Sequence, residues 1–189
     1  MKSTGTDKTN RGTERLSRTL PDYLINNLEI VFVGLNPGLY SAQIGHYYAN
    51  KVNRFWNALS ASGLIPDPME AKDDWRLTSW GIGLTDIVKR PTSGIHEVSK
   101  REFRDGAKKL RDKVVRYSPR VVCFNGLTGY RVCCGKAASV GYGETRFGGA
   151  RVFVIPSTSP RNARYSLGDI TAALSDLKEF NEALRGSVK

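Results

Sequence analysis

The chain holds 189 residues with 40% hydrophobic and 25% charged side chains, a size and mixture that suit one substantial core in a water-soluble protein. Lys and Arg number 29 against 18 Asp and Glu, a formal charge of +11. That excess points to a polyanionic partner, nucleic acid before an anionic membrane surface, or to no more than a basic exterior. No apolar stretch approaches the ~18 residues of a membrane span, and none follows the early lysines as a signal peptide requires. Cys123, Cys133 and Cys134 make neither an even disulfide framework nor C-x-x-C zinc spacing, so a reduced, cytoplasmic protein is expected.

Residues 1–18 carry Lys2, Lys8, Arg11, Arg15 and Arg18 against Asp7 and Glu14, without apolar periodicity. They read as a disordered basic arm, either touching phosphates or simply solvated, ahead of a single domain over 19–189. Order begins near Leu20. Ile30-Val31-Phe32-Val33 followed by Gly34-Leu35-Asn36-Pro37-Gly38 reads as a buried strand delivering a tight polar loop. Residues 39–48 are too polar and aromatic for a core helix and suit a pocket wall. A helix opens near Asn53, with Phe55, Trp56, Leu59 and Leu64 at helical spacing and Gly63 as its C-cap. Residues 66–78 are expected to form a charged connection.

Residues 80–88 read as a second strand carrying Asp86 at its end, with glycines that permit close approach. Ser99-x-x-Glu102 is a capping box opening a helix whose Phe103, Ala107, Leu110, Val114 and Tyr117 share one face. Residues 121–126 make a third strand, a short helix reaches Gly135, residues 141–144 are expected as loop, and residues 151–155 as a fourth strand. A closing helix spans about 167–184. Strands alternating with helices predict an α/β fold, a three-layer α/β/α sandwich around a central four-stranded, mainly parallel sheet.

In such a sheet the loops at the carboxyl ends of the strands share one edge. The 34–38 loop, Asp86 and the loop over 156–164 are therefore expected to converge on one crevice. The sequence offers that crevice no Cys/His pair, Ser/His/Asp set, H-x-x-x-H zinc helix or G-x-x-x-x-G-K-[ST] phosphate cradle. The common hydrolase and nucleotidase machineries, and an α/β nucleotide-binding protein, are disfavoured.

Gly34-Leu35-Asn36-Pro37-Gly38, then Gly45-His46-Tyr47-Tyr48 and Asn53-Arg54-Phe55-Trp56, precede Arg90-Pro91-Thr92 and Pro156-Ser157-Thr158-Ser159-Pro160-Arg161-Asn162-Ala163-Arg164. In this order they resemble the motifs of the uracil-DNA glycosylase superfamily, specifically its mismatch-specific uracil- and thymine-DNA glycosylase branch, over about residues 18–180. The resemblance implies monofunctional hydrolysis of the N-glycosidic bond of uracil or thymine mispaired with guanine in double-stranded DNA. It implies an abasic product, no metal and no cofactor, and a monomer is expected. By the same resemblance Asn36 holds a water at the anomeric carbon; Asp86 and Ser159 are taken with it as candidate catalytic residues. Gly34, Leu35, Gly38, Tyr48, Asp86 and Ser157 bind the base, Tyr48 by stacking and Gly38 by leaving room for thymine's methyl group. Arg161 is the wedge into the vacated stack; Asn162, Ala163 and Arg164 face the widowed guanine, Arg164 through the base or through phosphate. An amide orients water but is a poor base, so turnover is expected to be slow. His46 is given no catalytic role.

Asp86 departs from the resemblance, which places Asn there in the thymine-glycosylase branch and Lys in the bacterial mismatch enzymes. An ionised carboxylate only accepts hydrogen bonds and repels a carbonyl oxygen beside it. Three readings stay open: Asp86 accepts from N3–H in a side-on pose, is protonated, or selects another lesion, such as hypoxanthine or a cytosine derivative with an exocyclic donor. Two alternatives to the leading function remain, a broader uracil and hypoxanthine glycosylase with weak thymine activity, and a catalytically silent mismatch-binding module.

Overall fold

Successive side chains of a strand point to opposite faces, and the central strands of this chain are apolar on both, which requires a covering layer on each side. A computed structural model describes residues 19–135 and 139–186; the arm expected over 1–18 lies outside them. β1 (Ile30–Gly34), β2 (Ile82–Asp86) and β3 (Val121–Asn125) are buried at every position. With β4 (Gly141–Phe147) and β5 (Ala150–Ile155) they form a five-stranded sheet of order β2-β1-β3-β5-β4, parallel except for β4 at one edge.

The helices are α1 (Leu39–Ile44), α2 (Phe55–Ala61), α3 (Lys100–Tyr117), α4 (Leu127–Cys134) and α5 (Leu167–Gly186). Phe32, Leu84, Cys123 and Phe153 pack with Phe55 and Leu59 of α2 and with Leu174 and Leu177 of α5 on one face. Val31, Val33, Val122 and Val154 pack with Leu110 and Val114 of α3 and Tyr130 of α4 on the other. The three layers are therefore those expected. The capping box is formed: Ser99 Oγ accepts from Glu102 N at 3.1 Å, and Glu102 Oε2 accepts from Ser99 N at 2.9 Å.

The sheet has five strands rather than four, and residues 141–144, expected as loop, belong to the edge strand β4. Most of β4 is exposed and a register shift between Gly143 and Arg146 interrupts its pairing, so no alternating apolar pattern marks it. Its Tyr142 stacks instead on Phe180 of α5, with ring centroids 4.9 Å apart. The expected connection over 66–78 gives way at Ala71 to a 3-10 helix that runs on to Trp80, so the second strand starts at Ile82 rather than Trp80. Residues 39–44 form the short helix α1 at the cleft, with Leu39, Tyr40 and Ile44 exposed as a core helix would not leave them. Ser62, not Gly63, is the C-cap of α2.

One buried carboxylate fixes the segment that follows α1. Asp74, fully buried, accepts from Tyr47 N at 2.8 Å and from the Tyr23 hydroxyl at 3.0 Å, and pairs with His46 Nδ1 at 3.1 Å. Three partners compensate the desolvation of that carboxylate and hold Tyr47 and Tyr48 in place. His46 is accounted for by this pairing and takes no part in the cleft.

Candidate active site

The carboxyl ends of β1, β2, β3 and β5 open into a single cleft of roughly 640 Å³. The expected convergence is present: every site residue anticipated from the sequence lines this cleft except Ala163, which sits exposed on the second loop. The segment over 92–95 and Asn125 also line it.

Asn36 is held by its nitrogen. Nδ2 donates to Thr92 Oγ1 at 2.7 Å, to Pro37 O at 3.0 Å and to Arg90 O at 3.3 Å, so two hydrogens are shared among three acceptors. Thr92 Oγ1 passes its own hydrogen to Gly94 O at 3.0 Å, which leaves it an acceptor for Asn36. Backbone bonds from Leu39 N to Thr92 O, 3.2 Å, and from Thr92 N to Pro37 O, 3.1 Å, join the first loop to this segment. With the nitrogen committed, Oδ1 is the atom that Asn36 can offer as an acceptor to water.

Asp86 ends β2 and is 3% exposed, and its Oδ2 has no hydrogen-bond partner. A Cβ on Gly34 would come within 2.3 Å of Asp86 Oδ1 on the paired strand β2, so any larger residue at 34 would displace the Asp86 carboxyl. Burial pushes the Asp86 carboxyl up to about 7 against the lowering influence of Lys89; Asp22 raises it further and Lys113 lowers it. Tyr48 is a non-glycine residue at φ +53°, a conformation that costs strain and is held by its surroundings. Its ring stacks on Phe55 at 4.1 Å while lining the cleft, and its buried hydroxyl is also unpartnered. Burial first, and the Asp86 charge second, raise that phenol above its ordinary range. No heavy atom lies within 4 Å of a Cβ built on Gly38, so the space beside it is open.

The second loop is anchored by two residues to which the sequence reading assigned no role. Arg54, at the start of α2, donates from Nη2 to Ser159 O and Asn162 O at 2.8 Å each and to Ser157 O at 3.4 Å. Its Nη1 donates to Tyr165 O, and its backbone N to Thr158 O at 3.1 Å. Asn125, at the end of β3, donates to Thr158 Oγ1 and accepts from Thr158 N, both at 2.9 Å. Their only signals were positional: Arg54 lies inside the Asn53-Arg54-Phe55-Trp56 motif, and Asn125 ends an apolar strand. Ser159 Oγ accepts from Arg161 N at 3.3 Å and Ser157 Oγ from Ser159 N at 3.4 Å, turning the loop on itself. Arg161 crosses the cleft mouth to donate from Nη2 to Ser93 O at 2.9 Å, and the Arg164 guanidinium lies 5.5 Å from the centre of the Tyr165 ring. Among the described residues, no three His, Cys, Asp or Glu side chains converge as a metal site requires.

Residues 21–185 match the family profile of the Uracil DNA glycosylase superfamily. The chain belongs to that superfamily. A G/U mismatch-specific uracil DNA glycosylase of Schizosaccharomyces pombe is 36% identical over 177 residues, covering 88% of this chain and 54% of the relative, so the chain spans about half that protein's length. The solution NMR structure of a provisional uracil DNA glycosylase from Methanosarcina acetivorans superposes with a TM-score of 0.61 at 25% identity, covering 87% of this chain and 98% of that one. The superfamily match runs from the segment before β1 into α5, and both cleft loops fall inside it.

Proposed function

We propose that this domain is a monofunctional DNA glycosylase of the mismatch-specific branch, hydrolysing the N-glycosidic bond of uracil or thymine opposite guanine and leaving an abasic site. The observation that carries the reading is Asn36, whose nitrogen is tied to Thr92, Pro37 and Arg90, leaving Oδ1 as the acceptor it can offer to a water. As the glycosidic bond breaks, the sugar approaches an oxocarbenium ion and the base an anion. Orienting one water at the anomeric carbon then supplies much of the catalysis, without a strong base. The name of the Schizosaccharomyces pombe relative supports guanine–uracil mispairs as substrate.

In this reading Tyr48 stacks on the flipped base, Gly34, Leu35 and Ser157 shape the floor and far wall, and the open space at Gly38 receives thymine's methyl group. Ser159, whose Oγ accepts from Arg161 N, keeps its own proton for the substrate backbone. Arg161 leaves Ser93 to fill the vacated stack; Asn162, Ala163 and Arg164 face the unpaired guanine, and the +11 charge draws the domain to phosphate. The domain acts as a monomer on double-stranded DNA, without metal or cofactor. No helix among the described residues is long and apolar enough to cross a membrane.

The test is a labelled duplex carrying G·U, G·T, A·U or G·hypoxanthine, treated with alkali after incubation. Breaks are expected at G·U first and G·T more slowly; binding without a break on any duplex would make the domain a silent mismatch reader. Arg161→Ala is expected to slow cleavage of the G·U duplex about tenfold or more, because the flipped state loses its filler, while single-stranded uracil is cut within about threefold of the wild-type rate. Equal losses on both substrates would remove the wedge role.

A further inference from the structure

Asp86 Oδ2 is a buried polar atom without a partner; Asp86 and Tyr48 line one cleft, and a Cβ on Gly34 would lie beside Asp86 Oδ1 and the Tyr48 hydroxyl. Such an unpartnered atom costs stability unless something that enters the cleft satisfies it. We infer that Asp86 reads the flipped base as a neutral carboxylic acid, one oxygen accepting from a ring N–H and the other donating to the adjacent carbonyl, so that the pocket takes bases with a lactam edge and loses them when the carboxyl ionises. The inference rests on the glycosylase reading and names the chemical class within it: uracil, thymine and, through N1–H and O6, hypoxanthine.

A lactam edge places N–H beside C=O, and a carboxylic acid places C=O beside O–H, so the two close a ring of two hydrogen bonds. A carboxylate keeps the acceptor but sets a second anionic oxygen against the base carbonyl, in a pocket where little water screens the repulsion. The contrast grows along the reaction. Water oxygen bonds to C1′, the C1′–N bond breaks with its electron pair going to the base, and the proton shed by the water neutralises the departing anion. Throughout, Asp86 keeps its proton, and its O–H stabilises charge arriving on the base oxygen where a carboxylate opposes it. An asparagine supplies the same donor and acceptor at every pH; aspartate supplies them only on the acid side of its titration.

Burial and Asp22 favour the neutral form of Asp86, against Lys89 and Lys113, which favour the carboxylate. Burial is the largest influence and holds the carboxyl near 7. The lysines that could ionise it are engaged elsewhere: Lys89, beyond the end of β2, donates to Asp22 Oδ1 at 2.8 Å and to the Tyr47 hydroxyl at 3.1 Å, and Lys113 of α3 pairs with Asp22 Oδ2. Asp22, from the segment before β1, itself raises the Asp86 carboxyl. The remaining titratable neighbours, the phenols of Tyr47 and Tyr48 and the Cys123 thiol of β3, are all held neutral by burial.

The experiment is single-turnover cleavage of a G·U duplex between about pH 6 and 8.5, for the wild type, Asp86→Asn and Lys89→Gln. The wild-type rate is expected to fall toward tenfold per pH unit above the carboxyl titration. Asp86→Asn is expected to flatten that limb, so that the variant overtakes the wild type at the alkaline end. Lys89→Gln removes a cation and unmasks Asp22, moving the limb to higher pH; this variant keeps the test alive if Asp86→Asn does not fold. A flat wild-type profile, or the same limb in Asp86→Asn, would overturn the inference with the glycosylase reading intact. Cleavage by none of the three proteins at any pH would overturn both.

Discussion

Replacing Asn36 with alanine is expected to slow single-turnover cleavage of a G·U duplex by about 10²- to 10³-fold while duplex affinity stays within about threefold. The loss has two sources that can be separated. Alanine removes the Oδ1 acceptor proposed to place water, and it also cuts the ties from Nδ2 to Thr92, Pro37 and Arg90 that pin the first loop. Thr92→Val isolates the second effect, because the water acceptor survives but loses its 2.7 Å anchor; a loss nearer tenfold is expected. Asn36→Asp is the sharper probe. Aspartate is the stronger base for a water, yet here a carboxylate would face the carbonyls of Pro37 and Arg90 with no hydrogen to offer them. The variant is therefore expected to be slower than the wild type rather than faster. Rates from alkali-labile breaks and affinities from fluorescence anisotropy decide it: an Asn36→Ala enzyme that cleaves within threefold of the wild type has no water-placing asparagine.

What could be read from the sequence follows from how local each signal is. β1, β3 and β5 were legible because strands covered on both faces are continuous apolar runs, and the start of α3 was legible because a capping box is contained in four residues. β4 was not, since an edge strand buried only at Phe147 and otherwise touching α5 through the exposed Tyr142 has no periodic pattern to display. The two cleft loops were visible as contiguous motifs that the parallel sheet had to bring together. Their supports were invisible because they act at long range: Arg54 reaches 111 positions to Tyr165, Asn125 reaches 33 to Thr158, and Asp74 reaches 27 to Tyr47. Asp86 stands between these cases. Its departure from the resembling family was plain in the chain, but its protonation depends on burial and on Lys89 and Lys113 being drawn to Asp22, which only the packed structure shows.

The long-range support with the largest expected effect is Arg54. Its half-buried guanidinium ties the carbonyls of Ser157, Ser159, Asn162 and Tyr165 to the start of α2, so one side chain sets the curvature of the loop that carries Arg161. Arg54→Met keeps the aliphatic stem but leaves those carbonyls without their donor; a loss of about 2–4 kcal/mol in stability is expected, read as a lowered Tm. Function should suffer unevenly. Asn36 is tied to the 90–94 segment and not to the second loop, so uracil in single-stranded DNA, which needs no wedge, is expected to be cut within about tenfold of the wild-type rate. The G·U duplex is expected to lose about 10²-fold, because Arg161 and the residues proposed to face guanine no longer have a fixed platform. Arg54→Lys should recover little of this, since a single ammonium cannot span carbonyls that a planar fork reaches from two nitrogens. Amide hydrogen exchange over 157–165 gives the direct readout: faster exchange there in Arg54→Lys, with α3 and β1 unchanged, is the expected result. Wild-type exchange and duplex cleavage in the Arg54→Lys variant would show that charge alone, rather than the geometry of the fork, holds the wedge loop.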